Sequence, residues 1–332
     1  MNATTNVKTM RAITQHRYGT YDVLEQAELS IPNPAPNEVR VRVRAAGVDA
    51  GTWHMLTGRP LLMRIIGFGM RGPKQPVRGL AYAGRVESVG TAVTGFKPGD
   101  DVFGSAEACF AEYLVASESE IVRMPEALSY EKAAALPISG VTALQAVRAA
   151  GVVQSGQRVL VIGAAGGVGG YAVQLAAGLG ASVTGVCSGA KAELVRKLGA
   201  SEVIDYTVDD VTASTERWDA IIDTAGNRRL SRLRGILTPV GKLVIVGGES
   251  GGSLLGGMGR VVLAGVLNAF TKQTLAGLAS KENAADLAEL ARLVEAGSLD
   301  PAIDTVYPLA QAADAIRHVA EGRARGKVVL AV

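Results

Sequence analysis

Cysteine is almost absent: Cys109 and Cys187 are the only two in 332 residues. That excludes a disulfide framework and a four-cysteine zinc site, and it makes a reducing cytoplasm the expected setting. Histidine is nearly as scarce, with His16, His54 and His318 alone. Aromatic residues amount to 5%, none interleaved with a basic cluster, and 34 lysines and arginines stand against 31 acids. Nucleic acid is therefore not an expected partner. The first ten residues are polar and carry no apolar h-region, so no secretory signal is expected. A membrane span needs about 20 mostly apolar residues. The nearest stretch, Ser253 to Phe270, is interrupted by Arg260 and Asn268 and weakened by glycines. It reads instead as a helix over an apolar pocket or a subunit interface, and no membrane partner is expected.

Glycine is abundant, and its placement organises the chain. After the apolar run Val159 to Ile162 come Gly163, Gly166, Gly167, Gly169 and Gly170, and apolar residues resume at helical spacing through Val173, Leu175 and Ala176. This is strand, tight turn, helix. A dinucleotide site needs a sharp reversal, a backbone that approaches a pyrophosphate closely, and first-turn N–H groups aimed at the anion. The fingerprint reads Ala164-x-Gly166-x-x-Gly169, with alanine at its first place, which makes Ala164, Ala165, Gly166, Gly167, Val168 and Gly169 candidate cofactor residues. Spacing alone leaves open a glycine-rich turn of any α/β protein. The context favours the nucleotide: short β-branched runs at Ser182 to Cys187, Val203 to Tyr206, Trp218 to Thr224 and Leu243 to Gly248 alternate with helical patterns at Lys191 to Leu198 and Arg229 to Leu237. Such alternation specifies a doubly wound parallel sheet.

The flanks differ. Glu38 to Arg44 alternates strictly, placing Val39, Val41 and Val43 on one strand face and the arginines on a solvated one. Further short strands are expected at Met10 to Thr14, Gly84 to Val89, Asp101 to Phe103 and Ala111 to Val115, so this half is mostly β. Helices are expected from Ser129 to Leu136 and Gly140 to Ala150, and beyond them Pro301 to Pro308 is extended, Leu309 to Glu321 helical and Lys327 to Val332 a strand. The division is a β-rich domain of residues 1–127 with 300–332, and a nucleotide domain of residues 128–299, with the last strand returning to the first domain.

Taken together, these residues resemble the medium-chain dehydrogenase/reductase superfamily, in its zinc-independent quinone oxidoreductase-like branch. The resemblance is carried by Ala45-Ala-Gly-Val48, Gly95-Phe-Lys-Pro-Gly-Asp-Asp-Val102, Phe110-Ala-Glu-Tyr113, Ala133-Ala-Ala-Leu-Pro137, Gly140-Val-Thr-Ala-Leu144, the glycine turn, Leu198-Gly-Ala200, Val203-Ile-Asp-Tyr206 and Gly326-Lys-Val-Val329. It implies an α/β fold with a GroES-like β domain, a Rossmann domain and an active site in the cleft between them, commonly in a homodimer. Zinc-dependent relatives place metal ligands where this chain has Asp49, Leu80 and Ile138, and two of these cannot ligate. The resemblance further places His54 near the substrate, as pocket wall or hydrogen-bond donor, Thr142 near the nicotinamide, and Tyr206 at the adenosine-phosphate pocket.

The choice of nucleotide follows from the residues after the second strand. An NAD site usually offers a carboxylate there, about 20 residues beyond the turn, to the ribose 2′-hydroxyl. Eighteen residues past Gly169 stands Cys187, followed by Ser188 and Lys191, with no acid among them. NADPH is the expected cofactor. Gly226, Gly247 and Gly248 follow later strands, at the edge where open α/β sheets bind ligands. Without a metal, a simple alcohol is hard to oxidise, whereas hydride addition to a quinone or an α,β-unsaturated carbonyl delocalises charge onto oxygen. The expected function is NADPH-dependent reduction of such a small molecule, with Asp49 and His54 as candidate catalytic residues and Trp53 in the pocket. Asp49 stands where relatives of this branch commonly carry asparagine. Two alternatives stay open: alcohol or aldehyde chemistry, and a dinucleotide-binding sensor without turnover.

Overall fold

Val39, Val41 and Val43 are at most 2% exposed while Arg42 and Arg44 lie in solvent, the alternation of a strand with one face on a core. A computed structural model of the chain describes residues 8–151, 155–247 and 256–332. The β-rich part contains β1 (Thr9–Gln15), β2 (Leu24–Ser30), β3 (Glu38–Val48), helix α1 (Ala50–Thr57), β4 (Ala81–Val89), β5 (Asp101–Ser105), β6 (Tyr113–Ser117) and β7 (Ile121–Arg123). Helices α2 (Tyr130–Ala134) and α3 (Pro137–Ala149) follow. Ser129 caps α2 by accepting from the Lys132 N–H, and Pro137 opens α3 earlier than Gly140, since proline suits the first helical turn.

Next come β8 (Arg158–Ile162), α4 (Gly167–Gly178), β9 (Ser182–Cys187), α5 (Ala192–Lys197), β10 (Glu202–Asp205), β11 (Trp218–Asp223), α6 (Leu230–Gly235), β12 (Leu237–Ile245), α7 (Met258–Asn268), β13 (Thr274–Gly277) and α8 (Ala284–Glu295). Strands β10-β9-β8-β11-β12-β13 form one sheet in that order, every pair parallel. The order reverses between β8 and β11, the switch point at which doubly wound sheets leave a crevice. Both faces are covered: Val159 and Val161 pack with α3, α4 and α8, whereas Leu160 and Ile162 pack with α6 and α7. This is the doubly wound Rossmann sheet that the alternating pattern leads one to expect. β12 begins six residues before Leu243, and β13 and α8 are additions to the sequence reading. Gly248, Ser253 to Leu255 and Met1 to Val7 lie outside the described residues.

The chain closes with β14 (Ile303–Pro308), α9 (Ala312–Ala320) and β15 (Lys327–Ala331). β15 pairs antiparallel with β3, in a second sheet ordered β14-β15-β3-β4-β5-β7 with β6 also on β3. The end of the chain is therefore hydrogen-bonded to its beginning, and β3 runs from this sheet to the edge of the nucleotide fold. No described helix is long and apolar enough to cross a membrane.

Candidate functional site

The glycine turn follows β8 directly. Gly163 takes a φ of +83°, a backbone state that side chains disfavour, and its N–H and that of Ala164 both donate to the Val186 carbonyl at 3.1 Å. Gly166 is the N-cap of α4 and no side chain caps it, which leaves the first-turn N–H groups facing outward. At Gly169 an added Cβ would lie 2.1 Å from the Gly163 carbonyl oxygen, so only glycine lets turn and helix approach this closely. Ala164 and Ala165 are buried beneath the turn, and Gly167 and Val168 are half-buried on its rim. Such a cradle of backbone N–H groups with no side chain in front of them fits a pyrophosphate.

The later strand ends converge on the same edge. Gly226, at φ +67°, donates to the buried Asp223 carboxylate at 2.9 Å, whose other oxygen takes Arg260 of α7 at 2.7 Å. Gly247 is pressed against the Thr224 carbonyl, where a Cβ would come to 2.0 Å. Thr142, on α3, donates to the Ile138 carbonyl at 2.7 Å and its Oγ1 lies 3.2 Å from the Ser280 hydroxyl, which fixes its rotamer.

At the end of β9, Cys187 is 3% exposed, and its thiol is pushed up by burial, with Asp205 adding to the effect. Ser188 and Lys191 are half-buried and Tyr206 is exposed. Here the structure corrects the sequence argument. No acid follows Cys187 along the chain, but parallel pairing sets Asp205 of β10 in register with Cys187, and its Oδ2 would lie 2.3 Å from a Cβ on Gly189. Thr207 holds that carboxylate through its N–H at 2.9 Å and its hydroxyl at 2.7 Å, and these bonds keep it below the usual carboxylate range. Lys191 donates to the Gly322 and Ala324 carbonyls at 2.8 and 2.7 Å, and desolvation lowers its pKa. The rim thus carries one acid as well as one base, a neighbourhood visible only once two strands pair.

Asp49 follows β3 directly and is the N-cap of α1, 6% exposed. Its Oδ1 accepts from the Ser139 hydroxyl at 2.5 Å and from the Lys327 ammonium. Lys327 also donates to Ser139 Oγ at 3.0 Å and to the Val48 carbonyl at 3.3 Å, and Lys327 and Ser139 are 3% and 4% exposed. Neither partner was foreseen. Lys327 belongs to the Gly326-Lys-Val-Val329 landmark and Ser139 is one turn before Thr142, yet nothing in either local pattern marks burial. His54, in the last turn of α1, donates from Nδ1 to the Arg59 carbonyl at 3.1 Å. Trp53 stacks on Tyr21 with ring centroids 5.2 Å apart, so part of its surface is packing.

The positions that could take a zinc do not fit one. Asp49 is engaged by an ammonium, Leu80 and Ile138 offer hydrocarbon, and among the described residues no three His, Cys, Asp or Glu side chains cluster as a metal site.

Comparison with known proteins places this geometry. Residues 35–126 match the alcohol dehydrogenase GroES-like domain and residues 198–330 match a family described as zinc-binding dehydrogenase. The chloroplast envelope quinone oxidoreductase homolog of Arabidopsis thaliana is 32% identical, over 97% of this chain and 98% of that protein. Among solved structures, the Escherichia coli quinone oxidoreductase complexed with NADPH superposes with a TM-score of 0.84 at 26% identity, covering 97% of this chain and all of that one. A cobalt- and zinc-bound alcohol dehydrogenase from Pyrobaculum aerophilum gives 0.81 at 26% identity, covering 98% of this chain and 100% of its own. The fold is thus shared with a metal-bound alcohol dehydrogenase and with an NADPH-complexed quinone oxidoreductase. The chain belongs to the medium-chain dehydrogenase/reductase superfamily, in its quinone oxidoreductase-like branch.

Proposed function

We propose that the protein is an NADPH-dependent oxidoreductase that delivers hydride to a quinone or an α,β-unsaturated carbonyl without a catalytic metal. The observation that carries this reading is the state of Asp49: the one potential metal donor of its trio is bound by Lys327 and Ser139, beside a glycine turn that fits a dinucleotide. When bound, the reduced nicotinamide supplies the hydride. The chain's own groups do the rest. Gly163, Gly166, Gly167 and Gly169 admit the pyrophosphate and the α4 N-terminus favours its charge. Thr142, Gly226 and Gly247 shape the nicotinamide end, and Ser188, Lys191 and Tyr206 form the rim for a 2′-phosphate beside Cys187. On this reading Asp49, Leu80 and Ile138 hold no Lewis acid, and an acceptor that delocalises its own charge is the one such a site suits. The named relatives, a quinone oxidoreductase homolog and an NADPH-complexed quinone oxidoreductase, support the same assignment.

The reading includes two domains, residues 1–127 with 300–332 and residues 128–299, a cytoplasmic setting, and a homodimer. In support of the last, α7 turns Val262 and Val266 outward at 68% and 56% exposure, and Phe270 just beyond it is 81% exposed. The test is NADPH oxidation at 340 nm by the purified protein with a quinone, an enone and an aldehyde, with metal analysis alongside. Turnover of the quinone or enone, unaffected by a chelator, is the expected result. Turnover of the aldehyde alone, stoichiometric zinc required for activity, or a marked preference for NADH would overturn the corresponding part.

A further inference from the structure

Hydride transfer accounts for the glycine turn and the rim, but it does not explain why a lysine and a serine are buried against Asp49. Because Val328 faces Val48 across the β15–β3 pair, Lys327 comes opposite Asp49, and its ammonium spends its three N–H bonds on the Val48 carbonyl, Asp49 Oδ1 and Ser139 Oγ. Ser139 donates its own hydroxyl hydrogen bond to the same Oδ1. That oxygen therefore receives two donors, while Asp49 Oδ2, equally buried, receives none among the described residues. A carboxylate oxygen left this way is costly unless a donor comes to it, because each oxygen offers two acceptor sites.

The position of the cluster says where that donor would come from. A Cβ on Gly167, the first residue of α4, would lie 3.0 Å from Lys327 Cδ and 3.1 Å from Ser139 Oγ, so the network is packed directly under the dinucleotide turn. On its other side Asp49 begins the helix that carries Trp53 and His54. Paired with an ammonium, a carboxylate accepts and does not donate, so it repels a ligand carbonyl at this point and takes a hydroxyl.

We propose that Lys327 and Ser139 are positioning residues that hold Asp49 as the acceptor for a ligand hydroxyl, borne by a sugar of the nicotinamide nucleotide or by the acceptor substrate. This rests on the hydride-transfer reading for the identity of the ligands. Asp49 is on this account a recognition group and not the proton donor of the reaction, and Lys327 acts through it.

The experiment compares D49N, S139A, K327M and K327R with the unaltered protein in two measurements: the Kd of NADPH by fluorescence titration without acceptor, and kcat and KM for a quinone and its hydroxylated counterpart. D49N is expected to raise either the nucleotide Kd or the KM of the hydroxylated quinone about tenfold, the scale of one charge-assisted hydrogen bond, with kcat changed much less. A rise in Kd assigns the hydroxyl to the nucleotide, and a rise confined to that KM assigns it to the substrate. K327M is expected to follow D49N and K327R to restore most of the loss. Where a single variant yields too little folded protein, D49N/K327M leaves no buried charge and carries the same comparison. Constants unchanged in D49N, or variants that lower only the melting temperature, would overturn the proposal. If the unaltered protein binds NADH in place of NADPH, or uses another acceptor, the assigned reaction fails, and the comparison is run with the nucleotide and acceptor it does use.

Discussion

The buried cluster beneath the glycine turn, its floor, and the end of β9, its rim, handle charge in opposite ways. At the floor, Asp49, Ser139 and Lys327 are each at most 6% exposed and every bond is made within the chain. At the rim, Lys191 and Asp205 are half-buried and Tyr206 is 55% exposed. The same two residue types thus serve two purposes: a buried ion pair is a structural commitment whose disruption is expensive, whereas separate, partly solvated charges only bias which ligand is welcome. Stability and cofactor choice should therefore respond to different residues.

The sharpest test of that contrast is K327M. It leaves the Asp49 carboxylate buried without its counterion, and removal of one partner of such a pair costs about 3–5 kcal/mol, to be read from urea unfolding. D49N/K327M should recover much of this; full stability in K327M would erase the distinction between floor and rim. Next in size is G169A, whose Cβ would meet the Gly163 carbonyl at 2.1 Å. Overpacking there should cost about 1–3 kcal/mol and raise the NADPH Kd, without changing the NADPH/NADH ratio. D205N reverses that order. It should leave unfolding nearly untouched and increase the preference for NADPH by about 3–10-fold, because it removes a negative group beside the rim proposed for the 2′-phosphate, where solvent screens much of the effect. Steady-state kinetics with both nucleotides decide it, and added salt should narrow the difference.

The smallest effect concerns Cys187, at the end of β9 beside Asp205. Burial first and Asp205 second raise its thiol above the ordinary value. It should therefore ionise less readily than an ordinary thiol and react more slowly with iodoacetamide. Removing the negative neighbour in D205N eases ionisation, so labelling should quicken modestly there while remaining slower than in unfolded protein; equal rates in both proteins would remove Asp205 from the rim.

Much of this was legible along the chain. Val39, Val41 and Val43 announce a strand by alternation, and Val159 to Ile162 with its glycines announces strand, turn and helix, since both patterns lie within a few residues. α7 was readable only in part. Arg260 and Asn268 look like interruptions of an apolar run, yet the first binds buried Asp223 and the second exchanges two hydrogen bonds of 2.8 Å with Leu275 of β13. Polar residues that complete a distant partner are indistinguishable in sequence from polar residues that break a helix. Asp205 was missed for a related reason: the search for an acid ran along the chain after Cys187, while the neighbour came across the sheet.

The sequence by itself determined the strand and helix periods, the glycine turn and the absence of ligating side chains at Leu80 and Ile138, because these follow from residue type and local spacing. Only the tertiary structure decided that Lys327 and Ser139, 188 positions apart, meet Asp49, and that Asp205 stands beside Gly189. Charge placement depends on which strands pair and how deeply they are buried, and neither is encoded in the few residues around a charge.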